Sequence, residues 1–382
     1  MFSIFKTFFA LGWISFGGPA AHIGYFRTTF VEKLKWLDDH EYAQLVALSQ
    51  FLPGPGSSQV GFALGYKRGG LAGACLAFIG FTLPSVLLML LLATLSSQFT
   101  DASLFHHAVH GLKLLAVVVV ADATLGMYRN FCQNRLTVTL CLFTAITLLL
   151  VPGLWAQITV LVGSAVIGVR YLAQRPDSTE AQETLSTNIL PLFLFATLLI
   201  ALPWLANLNP SLALFSHFYQ AGSLVFGGGH VVLPLLQNLI GEQLSRDVFL
   251  TGYAAAQAVP GPMFTFATYL GFELLPDAPL LGALLATLAV FLPGFLLLLG
   301  VLKNWQLLAR RPAISGAVNG VNASVVGLLL SALYTPVFTS AVSAPLDLAM
   351  VLLGVYLLKQ WRLPIVWMVA LFIFSGLILG SF

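Results

Sequence analysis

Two prolines clasping a glycine, Pro53-Gly54-Pro55, interrupt an apolar run over residues 42–66, and Pro260-Gly261-Pro262 interrupts a second run over 249–272 in the same way. Each proline removes a helical donor and clashes with the preceding turn, so neither run continues as one helix. At membrane depth such a break is tolerated only where the loosened backbone is buried in protein or lines a cavity. Pro55 is suited to begin a second half-helix, with Gly56, Ser57, Ser58 and Gln59 after it. The free amides at that end, reinforced by roughly half a unit of positive charge, make an anion site. Ser57, Ser58 and Gln59 add neutral donors there. Pro262 takes the same part in the second run, with Thr265 as the hydroxyl.

Other residues gather near the breaks. Gln50 and Gln257 precede the two loops and either brace them or hydrogen-bond what is bound. Gly17-Gly18-Pro19 and Gly227-Gly228-Gly229 form a second pair of breaks, followed by His22 and His230. A histidine so placed donates to an anion, carries a coupled proton, or serves helix packing. Arg27 lies about a turn past His22, as a cationic partner of the anion or as an interface anchor. Lys113 and Asp122 are ion-coupling candidates inside one apolar segment, where an uncompensated charge costs about 3 kcal/mol. Pairing of Asp122 with Lys113 or a neighbouring arginine is the default expectation. Glycine and proline kinks also serve packing alone in membrane helices. Four breaks in corresponding places, each beside a polar residue, favour a binding site instead.

The elements that must hold these residues are apolar. Of 382 residues, 58% are hydrophobic and 8% charged, against about 25% charged in a soluble domain; mean hydropathy is +0.92. The net charge of +3 is scattered, with no basic run to grip nucleic acid. Cys75, Cys132 and Cys141 lack metal or redox spacing and are expected as small core residues. No metal or cofactor is implied. A membrane-crossing helix needs about 20 apolar residues. Segments meeting or approaching that length cover 2–21, 42–66, 71–95, 105–127, 137–151 and 154–171, then 189–205, then 212–239, 249–272, 280–301, 314–333, 346–358 and 364–379. The first has no cleavage-site pattern and is expected as a retained helix.

The two sets of segments repeat one another. Gln50 to Pro55 matches Gln257 to Pro262, Leu83-Pro84 matches Leu292-Pro293, and Ala108-Val109-His110-Gly111 matches Ala317-Val318-Asn319-Gly320. Lys and Arg mark cytoplasmic loops, and they alternate between equivalent loops: Lys67 and Arg68 against Glu273 and Asp277, Asp101 against Lys303, Arg310 and Arg311, Arg129 and Arg135 against a 335–344 loop with no basic residue. The fold expected is an all-α polytopic membrane protein of two inverted-topology repeats. Each repeat has about six segments, with broken or re-entrant helices at the GGP and PGP motifs. Residues 1–173 form the first repeat, 174–208 a polar linker plus one connecting helix, and 209–382 the second. Arg27, Lys33 and Lys35 fall on the wrong side of simple alternation, which favours re-entrance of the first two segments. Inverted repeats with broken helices are the architecture of secondary transporters.

The stretches Ser15-Phe16-Gly17-Gly18-Pro19-Ala20-Ala21-His22 and Gln50-Phe51-Leu52-Pro53-Gly54-Pro55-Gly56-Ser57-Ser58-Gln59-Val60-Gly61 resemble the chromate transporter family in its long, two-domain form. Phe226 to Leu236 and Gln257 to Pro262 are similar to its second-half motifs, so the resemblance spans essentially the whole chain. It implies a bacterial inner-membrane protein that exports chromate and confers resistance. Sulfate, a tetrahedral dianion of similar size, is the rival substrate, and a homodimer is left open. A polytopic membrane enzyme is the rival class, but neither HExxH nor a placed nucleophile with its base occurs.

Overall fold

Helix signals in the sequence are used where they stand. Asp38 caps α3 (Asp39–Phe51), accepting from the Glu41 amide at 2.7 Å. Asn134 and Thr137 form a reciprocal capping box at the start of α6 (Arg135–Leu150), and Ser245 caps α11 (Arg246–Ala258). Asn209 caps α9 (Pro210–Leu224), whose Pro210 supplies the pre-set φ of a first helical position. The computed structural model describes residues 1–16, 18–98, 103–173, 188–226, 229–303 and 311–379. Among them the regular elements are all helical.

The other first-half helices are α1 (Phe2–Ile14), α2 (Gly18–Phe26), α4 (Gly56–Gln98, two helical stretches meeting at the non-helical pair Gly69 and Gly70), α5 (Ser103–Phe131) and α7 (Leu154–Tyr171). Among the described residues, α8 (Ile189–Leu205) is the helix between the halves. The second half adds α10 (Val232–Ile240), α12 (Phe266–Leu274), α13 (Pro279–Val301), α14 (Pro312–Ala332), α15 (Pro345–Lys359) and α16 (Ile365–Leu379). Among the described residues, five helical stretches are long and apolar enough to cross a bilayer: Gly56–Ser96, His107–Phe131, Ile189–Leu208, Pro279–Val301 and Pro312–Ala341. The chain is a multi-pass membrane protein. By contrast α1 and α3 have 13 residues each, about 20 Å at 1.5 Å per residue, short of a hydrocarbon core about 30 Å thick. Most of the expected 174–188 linker lies outside the described residues.

The halves are interleaved. α14 packs on α6 and α7, while α5 packs on α15 and α16. The contacts recur at matched places. A Cβ on Gly111 would stand 1.9 Å from the Phe372 carbonyl oxygen, and one on Gly320 would stand 2.0 Å from that of Ser164. In both, bare backbone is what lets two helices touch. Likewise α1 packs on α4 as α9 packs on α13. Phe62 of α4 stacks on Phe295 of α13, with ring centroids 4.2 Å apart, closing the core between the halves. One cysteine departs from expectation: Cys132 and Cys141 are buried, but Cys75 is exposed on the outer face of α4.

Candidate anion site

Both PGP stretches are the loops the prolines demand. α3 ends at Phe51 and α4 begins at Gly56; α11 ends at Ala258, and a short turn, Met263–Thr265, precedes α12. Gly54 and Gly261 have φ of +116° and +95°, a region that a side chain makes costly. Buried backbone must find partners, and these loops find them in the opposite half. The Gly54 N–H donates to the Val225 carbonyl at 2.7 Å, and the Gly261 N–H donates to the Ser15 carbonyl at 2.8 Å. Val225 and Ser15 end α9 and α1, the first helix of each half. The exchange continues behind the loops. Ser85 Oγ donates to the Pro260 carbonyl at 2.5 Å. Gln59 Nε2 donates to the carbonyls of Pro53, at 2.9 Å, and Gly294, at 3.1 Å. Ser85 and Gly294 follow the helix prolines Pro84 and Pro293.

Two cavities open beside the breaks. The larger, about 520 Å³, is walled by Gln50, Gly54, Gly56 and Ser57 with Met127 and Asn130 of α5. The smaller, about 350 Å³, is walled by Gly18, His230, Gln257 and Gly261 with Val119 and Asp122 of α5. Pro19 belongs to both walls. Positions 119, 122, 123, 127 and 130 lie on one helical face, so the cavities follow one another along α5. The described donors on the larger wall are neutral: the Gln50 and Asn130 amides and the first backbone amides of α4. A helix N-terminus with neutral donors suits an anion that must be bound and then released.

The predicted residues divide into those that line space and those that hold the frame. His22 is buried, 1% exposed. Its Nε2 lies 3.1 Å from the Ser15 carbonyl, which only accepts, so that nitrogen carries the hydrogen. In the neutral ring Nδ1 then accepts from the Ser57 hydroxyl at 3.1 Å. His22 is therefore a brace, sharing the Ser15 carbonyl with Gly261, and the Ser57 hydroxyl is engaged with it. His230 differs. It faces the smaller cavity, with Nδ1 at 2.9 Å from the Tyr253 hydroxyl and 3.4 Å from Gln257 Nε2.

Several expectations need correction. Gln59 and Thr265 are fully buried; Gln59 ties two carbonyls and Thr265 donates to the Pro262 carbonyl at 2.9 Å, so neither offers its donor to a cavity. Ser58 is buried with its hydroxyl unpartnered and is on neither cavity wall. Pro55 and Pro262 shape the loops without lining either space. Arg27 is exposed and ion-paired with Asp39 at 2.8 Å and with Glu32. Those two carboxylates raise its pKa above the ordinary arginine value, and it lies on neither wall. Lys113 pairs with Asp247 of α11 and Asp122 with Lys359 of α15, not with one another. On α5 they stand about 13 Å apart, beyond any direct pair. Gly17, Gly227 and Gly228 lie outside the described residues. Sequence reasoning missed Ser85, Gly294, Asn130 and the pairing of Lys359 with Asp122, and had Pro19 only as part of a break. Ser85 and Gly294 could have been found from the aligned helix prolines just before them.

Comparison with known proteins places this geometry. The chromate transporter family matches the chain over residues 2–169 and again over 212–378. A probable chromate transport protein of Synechococcus elongatus is 29% identical over 365 residues, covering 94% of this chain and 89% of that protein. A chromate transport protein of Cupriavidus metallidurans is 28% identical over 365 residues, covering 93% and 87%. An uncharacterised transporter of Methanocaldococcus jannaschii is 28% identical over 342 residues, covering 86% and 82%. No solved structure matches the chain.

Proposed function

The chain belongs to the chromate transporter family, and from that premise we propose that it exports chromate across a bacterial inner membrane by alternating access. The observation that carries this reading is the exchange of loops between halves. Each PGP break hangs on the end of the other half's first helix, through Gly54 to Val225 and Gly261 to Ser15. Cavities open on either side of that junction. A relative movement of the halves would repack both breaks together and expose the anion to one side and then the other. The inverted repeat supplies that movement, with α8 reversing the second half and the short α1 to α3 and α9 to α11 entering without crossing. Sulfate is the competing substrate, because the described donors on the larger wall recognise shape and charge rather than chromium.

Energy supply needs nothing further. A dianion leaving a negative-inside cell gains about 4.6 kcal/mol per 100 mV, at about 2.3 per charge. Proton coupling would alter that yield rather than create it. The test is chromate flux in membrane vesicles of known orientation, with cell growth on chromate alongside. Outward flux driven by an inside-negative potential and blocked by excess sulfate is expected. Replacing Pro55 or Gly54 by alanine should abolish it while the protein stays in the membrane. Wild-type flux in both variants would falsify the role given to the break.

A further inference from the structure

A third cavity, of about 130 Å³, lies between the end of α14, the turn from α6 into α7, and α10. It is the counterpart of the smaller cavity described above. The register that pairs Gly111 with Gly320 pairs Val119, Asp122 and Ala123 of α5 with Leu328, Ser331 and Ala332 of α14. All six line their respective spaces. Aligning the caps Asn134 and Ala344 pairs Leu148 with Leu358, again one on each wall. Each wall also takes residues from the short helix that follows a glycine break, Pro19 of α2 in one and Pro234 and Gln237 of α10 in the other.

The two spaces differ in size, about 130 Å³ against about 350 Å³, and in chemistry. The described wall of the third carries no charge. Its amides are uncommitted: Gln157, 1% exposed, and Gln237 each hold a buried side-chain oxygen with no hydrogen-bond partner among the described residues. A buried polar group left unpaired is costly, so this wall suits a polar occupant better than it suits packing. Just before the cavity along α14, Ser324 shares a hydrogen bond with Thr144 of α6 at 2.8 Å. A Cβ on Gly327 would stand 2.1 Å from the Cys141 carbonyl oxygen of α6. In α5 those two places are Leu115 and Val118. With α14 fastened to α6, the wall left to move is α10, which packs mainly on α9 of its own half.

Loop charge gives the two spaces opposite sides, since Lys and Arg mark the cytoplasmic face. The turn from α15 to α16, beside the smaller cavity, carries Lys359 and Arg362, whereas the turn at 151–153, beside its counterpart, carries no charge. Resting on the export reading above, we infer that the third cavity is the outer stage of the anion's path, with Gln157 as a donor that meets a tetrahedral oxyanion there. It is narrow in this structure while the two cavities beside the breaks are wide. Withdrawal of α10 widens it as those cavities close, the exchange that an inverted repeat provides. A side-chain amide carries two donors beside its oxygen, so Gln157 and Gln237 can turn their N–H groups to the anion. The Ser331 hydroxyl adds a third neutral donor, and neutral donors let the anion go to the outside.

The experiment uses membrane vesicles of known orientation, holding the full chain and transporting chromate, with a membrane-impermeant maleimide added on one side at a time. Labelling is read by mass spectrometry on the peptide that carries the new thiol. Ser331→Cys should react faster from the outer face, and its near counterpart Ala123→Cys faster from the cytoplasmic face. A shared preference, or a Ser331→Cys reaction that is no faster from outside or does not occur, overturns the inference. Gln157→Leu gives a second reading. An apolar side chain removes the unpaired amide, so the melting temperature should hold or rise while chromate flux falls about tenfold. Wild-type flux in that variant would make Gln157 a packing residue and overturn the inference too. Either measurement decides if the other variant does not fold. Absence of chromate flux in the wild-type protein would instead sink the transport reading.

Discussion

Gly54 and Gly261 hold the same backbone shape and the same tie to the opposite half, yet the histidines that accompany them do different work. His22 is closed in, with both ring nitrogens bonded inside the frame. His230 faces a cavity, and its partners among the described residues are Tyr253 and Gln257. The duplicated sequence thus built one frame twice and then divided the labour. The first half contributes the well-formed helix N-terminus at Gly56, and the second contributes a short turn and the more accessible imidazole. Charge divides in the same direction, since Asp122 of the first half reaches Lys359 of the second.

The largest effects should come from the glycines, and they should not be equal. Gly54→Ala and Gly261→Ala each put a side chain at positive φ, a cost of about 1–2 kcal/mol, and each is expected to cut chromate flux by more than about a hundredfold, or about 2.7 kcal/mol. The obstacles differ. A Cβ at 54 meets the Gly294 Cα at 3.0 Å, whereas one at 261 meets the Ser85 hydroxyl at 2.1 Å. Adding Ser85→Ala should recover part of the flux of Gly261→Ala, whereas for Gly54→Ala the Gly294 backbone stays in the way even if the Gln59 side chain, 3.2 Å from that Cβ, is shortened. Equal flux in the single and double variants at 261 would dissolve this distinction.

The histidines come next. His22→Ala leaves the Ser15 carbonyl short of one donor and the Ser57 hydroxyl without its acceptor. Thermal unfolding in detergent should show a loss of about 2–4 kcal/mol, from about 1–2 per group. His230→Ala should cost about 1 kcal/mol by the same measure while slowing flux strongly. If the two variants melt alike, the division between brace and cavity residue is wrong. Gln59→Ala strips a donor shared by the Pro53 and Gly294 carbonyls across the halves. About 1–3 kcal/mol of stability should go with it, read in the same melting experiment. The smallest effect belongs to Arg27. Its ion pairs are exposed, where solvent screens away most of their contribution. Arg27→Ala should therefore melt and transport chromate like wild type; a flux loss at unchanged melting temperature would return it to the anion's path.

Much of this protein was determined along the chain itself. Proline has no amide hydrogen and glycine no Cβ, so the breaks at 53–55 and 260–262 follow from local chemistry. The apolar segments, the duplication and the suitability of a helix N-terminus for an anion are local or periodic properties as well. Most helix bounds follow for the same reason, including the capped start of α6 at Asn134. Tertiary structure decided which polar group meets which. Nothing in the spacing of Lys113 and Asp122 announces that each takes its partner from another helix. Gln59 and Thr265 looked like donors because their types and places fit; burial turned them toward nearby carbonyls. Pro19 joins two cavities, and Ser85 and Gly294 back the opposite loops, only because the halves interleave. A hydrogen bond or ion pair is decided within a few ångströms, by contacts between residues far apart in the chain, and there helix packing, not sequence order, sets the distance.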